Sequence, residues 1–222
     1  MFTFPICHFT KNDIKPSLTF TQYSSLSSAT ASPIFTNVSF GSNPSPTRRI
    51  VCVIIGFAPP NALSSVTIGG VSATIHTSYR HPYGTLMCIA SANVPNGTSG
   101  TVIANYTSNT NSSMCFTYAI DGMQSYIPTS YVVTSSAYSQ SVTCDENSGI
   151  IAGGACYING GTANSWLGTL GIVEDSDNSI GGGYAGVGTS ASLLTSAALS
   201  SKTVILAPGT TNGAQMQIVI FK

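Results

Sequence analysis

The sequence predicts an all-β protein, an antiparallel β-sandwich of Ig-like or jelly-roll type with an extended N-terminal arm. Three observations carry this. Short runs rich in Val, Ile, Thr, Tyr and Phe recur along the chain, clusters of Gly, Pro, Asn and Ser separate them, and helical periodicity is almost absent. No connection is long enough to require a crossover helix, which disfavours an α/β fold.

The elements follow in order. Residues 1–33 are Ser/Thr-rich and weakly apolar, with aromatics at Phe2, Phe4, Phe9, Phe20 and Tyr23. Aromatics argue against a plain flexible linker, so this segment is an extended arm or a pair of strands on the edge of the sandwich. The sandwich itself spans 34–222. Residues 34–40, "IFTNVSF", put Ile34, Thr36, Val38 and Phe40 on one face. Residues 47–57, "TRRIVCVIIGF", carry no polar side chain from Ile50 to Gly56, which fits a buried central strand entered by Arg48 and Arg49 at its edge. "SVTIGGVSATIH" (65–76) is two strands joined at Gly69-Gly70, a pair that supplies the positive φ of a tight hairpin. Strands follow at 86–94, 101–107 and 114–120, then at 131–136, 149–158, 166–173, 202–207 and 215–221. "DGMQSYIPTS" is a crossover between two halves of the sandwich, and 189–201 has the composition of a short helical turn weakened by Ser and Thr.

Composition narrows the function classes. Hydrophobic residues make up 42% of the 222, but charged residues only 6%, against a typical ~25%. Seven basic and seven acidic side chains cancel. Such a chain lacks the clustered Lys and Arg that displace counterions from nucleic acid, so no nucleic-acid partner is expected. No run approaches the ~20 apolar residues of a membrane helix, and "MFTFPICHFTK" makes a poor signal peptide, so no membrane partner is expected and synthesis is in a cytoplasm. So little charge favours a protein whose surface is covered by neighbours in an assembly.

Motifs for chemistry are sparse. The six cysteines lack Cys-x-x-Cys spacing and read as buried free thiols, with Cys144 and Cys156 the pair that could meet across a hairpin. "GGGYAG" (181–186) matches a dinucleotide-binding pattern in letters but has no strand–helix context, so it is a glycine-rich β-loop and no cofactor is expected. "EDSDN" offers Glu174, Asp175, Asp177 and Asn178 as oxygen ligands for Ca²⁺, although the spacing is not that of an EF-hand and an acidic turn accounts for it as well. His76 and His81 flank "TSYR" in a basic and aromatic loop, without metal-ligand spacing. No nucleophile elbow or glycosidase-like carboxylate pair is evident, and an enzyme is not expected.

"IFTNVSFGSNPSPTRRIVCVIIGF", "SSVTIGGVSATI", "ANVPNGTSGTVIANYT" and the final "QIVIFK" resemble bacteriophage virion proteins of the β-sandwich kind, found on capsids or in tails. The resemblance covers about residues 34–222 and carries no catalytic motif. It implies a virion location after synthesis in the host cytoplasm, a homo-oligomer, and capsid or tail proteins of the same virion as partners. The role it implies is capsid decoration or cement protein. The alternatives are a tail-associated fibre or adhesin and a carbohydrate-binding module. Contacts are then expected from Phe2, Phe4, Phe9, Phe20 and Tyr23 of the arm and from Tyr79, Arg80, His81 and Tyr83.

Overall fold

Every regular element among the described residues is a β-strand in this computed structural model, as the strand-and-turn texture predicts. The structure describes residues 15–57, 62–134, 138–157, 164–180, 186–208 and 213–222. The strands are β1 (Ser17–Leu26), β2 (Ile34–Ser39), β3 (Arg49–Phe57), β4 (Leu63–Ile68), β5 (Val71–Ser72), β6 (Thr74–Arg80), β7 (Thr85–Asn93), β8 (Ser99–Tyr106) and β9 (Ser112–Asp121). After a crossover come β10 (Thr129–Val133), β11 (Ser139–Cys144), β12 (Gly149–Tyr157), β13 (Ser165–Leu167), β14 (Val173–Ile180), β15 (Gly186–Leu194), β16 (Leu199–Ala207) and β17 (Gln215–Phe221).

They form four antiparallel sheets. The first half of the chain builds an outer sheet, β2-β8-β4-β5, and an inner sheet, β1-β9-β3-β7-β6. The second half builds an inner sheet, β10-β17-β12-β15-β14, and an outer sheet, β11-β16-β13. Side chains alternate between faces along each strand, so the core clusters give the stacking order. Ile50, Cys52 and Ile54 of β3 meet Val66, Val102 and Ala104 of the first outer sheet. Val51, Val53 and Ile55 of the same strand meet Ile151 and Ala155 of β12 and Val219 of β17. Ile150, Ala152 and Ile218 then face Val204, Leu206 and Trp166 of the second outer sheet.

The molecule is therefore four layers deep, where the sequence reading expected two. The two inner sheets face each other across the middle. Residues Ile50 to Ile55 are all fully buried, since their sheet has no solvent face. Burial of each such side chain is worth about 1.5–3 kcal/mol, which makes β3 the most heavily committed strand in the fold.

Several local expectations change. Ser17–Leu26 is not part of an extended arm but the edge strand β1, paired with β9. A bulge between Phe20 and Gln22 keeps Phe20 and Tyr23 on one face despite their odd spacing, and both pack inward, on Tyr118 and Phe116. The region 189–201 holds the end of β15 and the start of β16, not a helical turn; Ser and Thr there pair into sheets instead. The run 166–173 splits into β13 and the first residue of β14, with Gly168 at φ +112 between them. The Gly69-Gly70 hairpin stands as expected, with φ +59 and +80, but β5 is only two residues long. The chain then leaves the outer sheet at Ala73 and enters the inner one as β6.

Arg48 is buried to 1% exposure, not held at a strand edge in solvent. Its guanidinium donates to four backbone carbonyls: Val94 at 2.9 Å, Phe40 at 3.3 Å, Asn96 at 3.0 Å and Gly97 at 2.7 Å. It thus ties the β2–β3 connection to the β7–β8 connection. Burial pulls its pKa down and the Asp121 carboxylate pushes it back up. Arg49 instead lies over the Tyr126 ring at 5.2 Å, and the Tyr126 hydroxyl donates to the Thr47 carbonyl at 2.6 Å, pinning the crossover to the first half. Replacing Arg48 with Met strands carbonyls that water reaches poorly. The variant should lose about 2–4 kcal/mol of unfolding free energy, read as a lower denaturant midpoint at unchanged slope.

Candidate interaction surface

Among the described residues, no three His, Cys, Asp or Glu side chains converge as a metal site would require. Cys52, Cys88, Cys115, Cys144 and Cys156 are buried and free. Cys144 lies in the second outer sheet and Cys156 in the second inner sheet, where its thiol donates to Asn164 Oδ1 at 2.8 Å. Burial, with Asp177 nearby, pushes the Cys156 thiol up to about 12, so it stays protonated and unreactive at neutral pH.

The acidic segment is the edge strand β14, not a turn. Asp175 sits at a bulge, and its carboxylate accepts from the Tyr118 hydroxyl at 2.9 Å across the inner-sheet interface. Asp177 accepts from the Asn164 backbone N–H at 2.8 Å, toward β13. Asn178 Nδ2 donates to Ser176 Oγ at 2.5 Å, and Glu174 is exposed. The two aspartates thus serve different neighbours instead of closing on one ion. Partial burial raises the Asp175 and Asp177 carboxyl pKa values, and desolvation together with the neighbouring Asp177 and Asp175 charges raises that of Glu174. Charges on a bulged edge strand are what discourages a second chain from pairing there.

The segment 76–81, read from sequence as a loop, is mostly strand β6, followed by a turn at 81–84. Tyr79 is half-buried and Arg80 exposed. His81 is buried, with its backbone N–H donating to the Thr85 carbonyl at 2.7 Å. Tyr83 is 62% exposed and stacks on His81, with ring centroids 5.4 Å apart at 18°. Its other support is Gly213, whose φ of +75 and missing Cβ let the ring lie close; a Cβ there would stand 2.8 Å from Tyr83 Cδ2. The sequence alone could not have shown this pairing of the two halves. Of the remaining expected contacts, Phe20 and Tyr23 are turned into the core, and Phe2, Phe4 and Phe9 lie outside the described residues.

Charge divides along the stack. At the end where β3 and β12 begin lie Arg48, Arg49, Asp121, Asp145, Glu146 and Lys222, the last bonded to Asp145 at 2.9 Å. At the opposite end, the described connections 81–84 and 107–111, with Tyr138 and Gly213, hold no Lys, Arg, Asp or Glu, whereas Arg80 closes β6 there and Asp177 of β14 bonds Asn164. Near the charged end, an open groove of about 420 Å³ runs along the first outer sheet beside the hairpin, lined by Thr67, Gly69, Asn96, Ser99, Thr101 and Ile103, with Phe40 beneath. The run "VPNGTSG" gave only a turn signal for it.

No protein-family model matches the sequence, and no curated protein matches it.

His76 supplies a pH test of the interior. Its ring packs edge-on against Phe221 at 5.5 Å and its Nε2 bonds Ser91 Oγ at 2.7 Å. Burial, with Arg49 alongside, holds its pKa down at about 4. The unfolded chain takes up this proton first, so the stabilisation is full above pH ~6.5 and is lost as pH falls toward about 4. His76→Gln should flatten that part of the stability-versus-pH curve in thermal melts; an unchanged slope would show that other groups set it.

Proposed function

We propose that this protein is a bacteriophage virion structural protein, a capsid decoration or cement protein that sits on the shell and stabilises it. The observation that carries the reading is the distribution of surface chemistry. A four-layer stack, buried through its middle, gathers six charged side chains at one end, while the described turns 81–84 and 107–111 at the other end carry hydroxyls, amides and the fixed ring of Tyr83. An uncharged surface suits repeated contacts between neighbours, where weak individual affinities are multiplied by valency. A pre-positioned ring loses little side-chain freedom on contact. The resemblance of residues 34–222 to virion β-sandwich proteins points the same way. In this reading the protein acts as a homo-oligomer, with shell subunits as partners.

Tyr83 also favours a second reading, a tail-associated fibre or adhesin that recognises a neutral host-surface glycan, because an exposed aromatic ring can stack on the apolar face of a sugar. Copy number separates the two. Quantified protein from purified particles of the encoding virus should give hundreds of copies for a decoration protein and a few dozen for a tail protein; absence from particles would dismiss both. Tyr83→Ala should weaken rebinding to stripped shells while leaving the melting temperature nearly unchanged, since the ring is largely exposed.

A further inference from the structure

We propose that residues 17–121 and 129–221 are two copies of one β-sandwich fused into a pseudo-dimer. The inner sheet of each half is then a protein-binding surface, and its partner is the inner sheet of the other half.

The strand orders match position by position. Reading β1, β9, β3, β7 and β6 across the first inner sheet, the second has β10, β17, β12, β15 and β14. The outer sheets correspond as β2-β8-β4 and β11-β16-β13. Equivalent strands begin at 49, 63, 85 and 99 in one half and at 149, 165, 186 and 199 in the other, a repeat of about 100 residues. Even the irregularities recur. β6 bulges at His76, between the pairs Ile75↔Ala90 and Thr77↔Ile89, and β14 bulges at Asp175, between Glu174↔Ala191 and Ser176↔Ser190. His76 bonds Ser91, and Asp175 lies beside the equivalent Ser192.

The halves meet as the subunits of a twofold dimer meet. The bulge residue of β6 reaches β17, at Phe221, while the bulge residue of β14 reaches β9, at Tyr118. Edge strand β1 lies against β14 and β15, and its counterpart β10 lies against β6. Such reciprocity is the mark of an isologous contact.

The two faces have nevertheless become complementary in size. Where the first half has Val53, Thr85 and Met87, the second has Gly153, Gly186 and Gly188. A Cβ at Gly153 would stand 2.5 Å from Val53 Cγ1, one at Gly186 would stand 2.0 Å from Phe57 Cε1, and one at Gly188 would stand 2.6 Å from Met114 Sδ. Large side chains of one sheet thus occupy spaces the glycines leave in the other. Either face against its own copy would clash or leave voids, so each half prefers the other by shape. The association is written in the faces and not in the crossover.

The test keeps the full chain. A protease recognition sequence is inserted after Ile127, which is 87% exposed, and the folded protein is then cleaved. The two fragments should co-elute at the mass of the intact protein and separate only in denaturant. Separation or precipitation on cleavage would overturn the proposal. In the cleaved protein, Gly153→Ala should weaken fragment association about tenfold or more, and adding Val53→Ala should restore a large part of it. If Gly153→Ala does not fold, the double variant should. Losses that simply add in the double variant would show that the sheets are not matched by size.

Discussion

The face-to-face contact of the two inner sheets is the constraint on which the rest of this structure depends. It removes both faces of β3, β7 and β9 from water, and both faces of β12 and β17. A sheet buried on both sides needs apolar residues at successive positions, not alternating ones. That is why "IVCVIIGF" has no polar side chain, and why so few charges exist in the chain at all. The middle of the molecule has no room for them.

The contact also governs where polar groups go. Gln215 and Gln217 of β17 are fully buried in it, and their side-chain amides donate to the Thr85 and Met87 carbonyls of β7 at 3.2 and 2.8 Å. Gln217 further accepts a hydrogen bond from Thr77. Gln217, bonded through both its nitrogen and its oxygen, fixes the register of one sheet on the other, since a slip would leave it unsatisfied. Charge is pushed to the stack's end, to the edge strand β14 and to Arg48, whose four carbonyl partners make its burial tolerable.

Much of the fold was legible in the sequence. The strand-and-turn texture fixed the all-β class, the Gly69-Gly70 turn placed a hairpin, and the double-faced hydrophobicity of 50–57 marked a central strand. A two-sheet sandwich buries only one face of each sheet, so a strand apolar on both faces already called for another layer. The repeat was hidden for a physical reason: only hydrogen-bond pattern and side-chain size had to persist, and both tolerate wide substitution. One local trace survives in Thr101-Val102-Ile103 and Thr203-Val204-Ile205, whose central valines point into equivalent cores. Of the candidate contact residues among the described ones, Tyr83 is the one the structure leaves exposed and held in place. Phe20, Tyr23 and His81 carry the same aromatic signal but are turned inward by a bulge or a tight turn, which composition does not encode.

The sequence by itself determined the class of secondary structure, the near absence of charge and the positions of the strongest turns, because these follow from local sterics and side-chain polarity. Only the tertiary structure decided which sheets face each other, that Arg48 is interior, that the acidic run is an edge strand, and that glycines of the second half receive the side chains of the first. These depend on contacts between residues about 100 positions apart, and no local pattern specifies which distant surface a given face will meet.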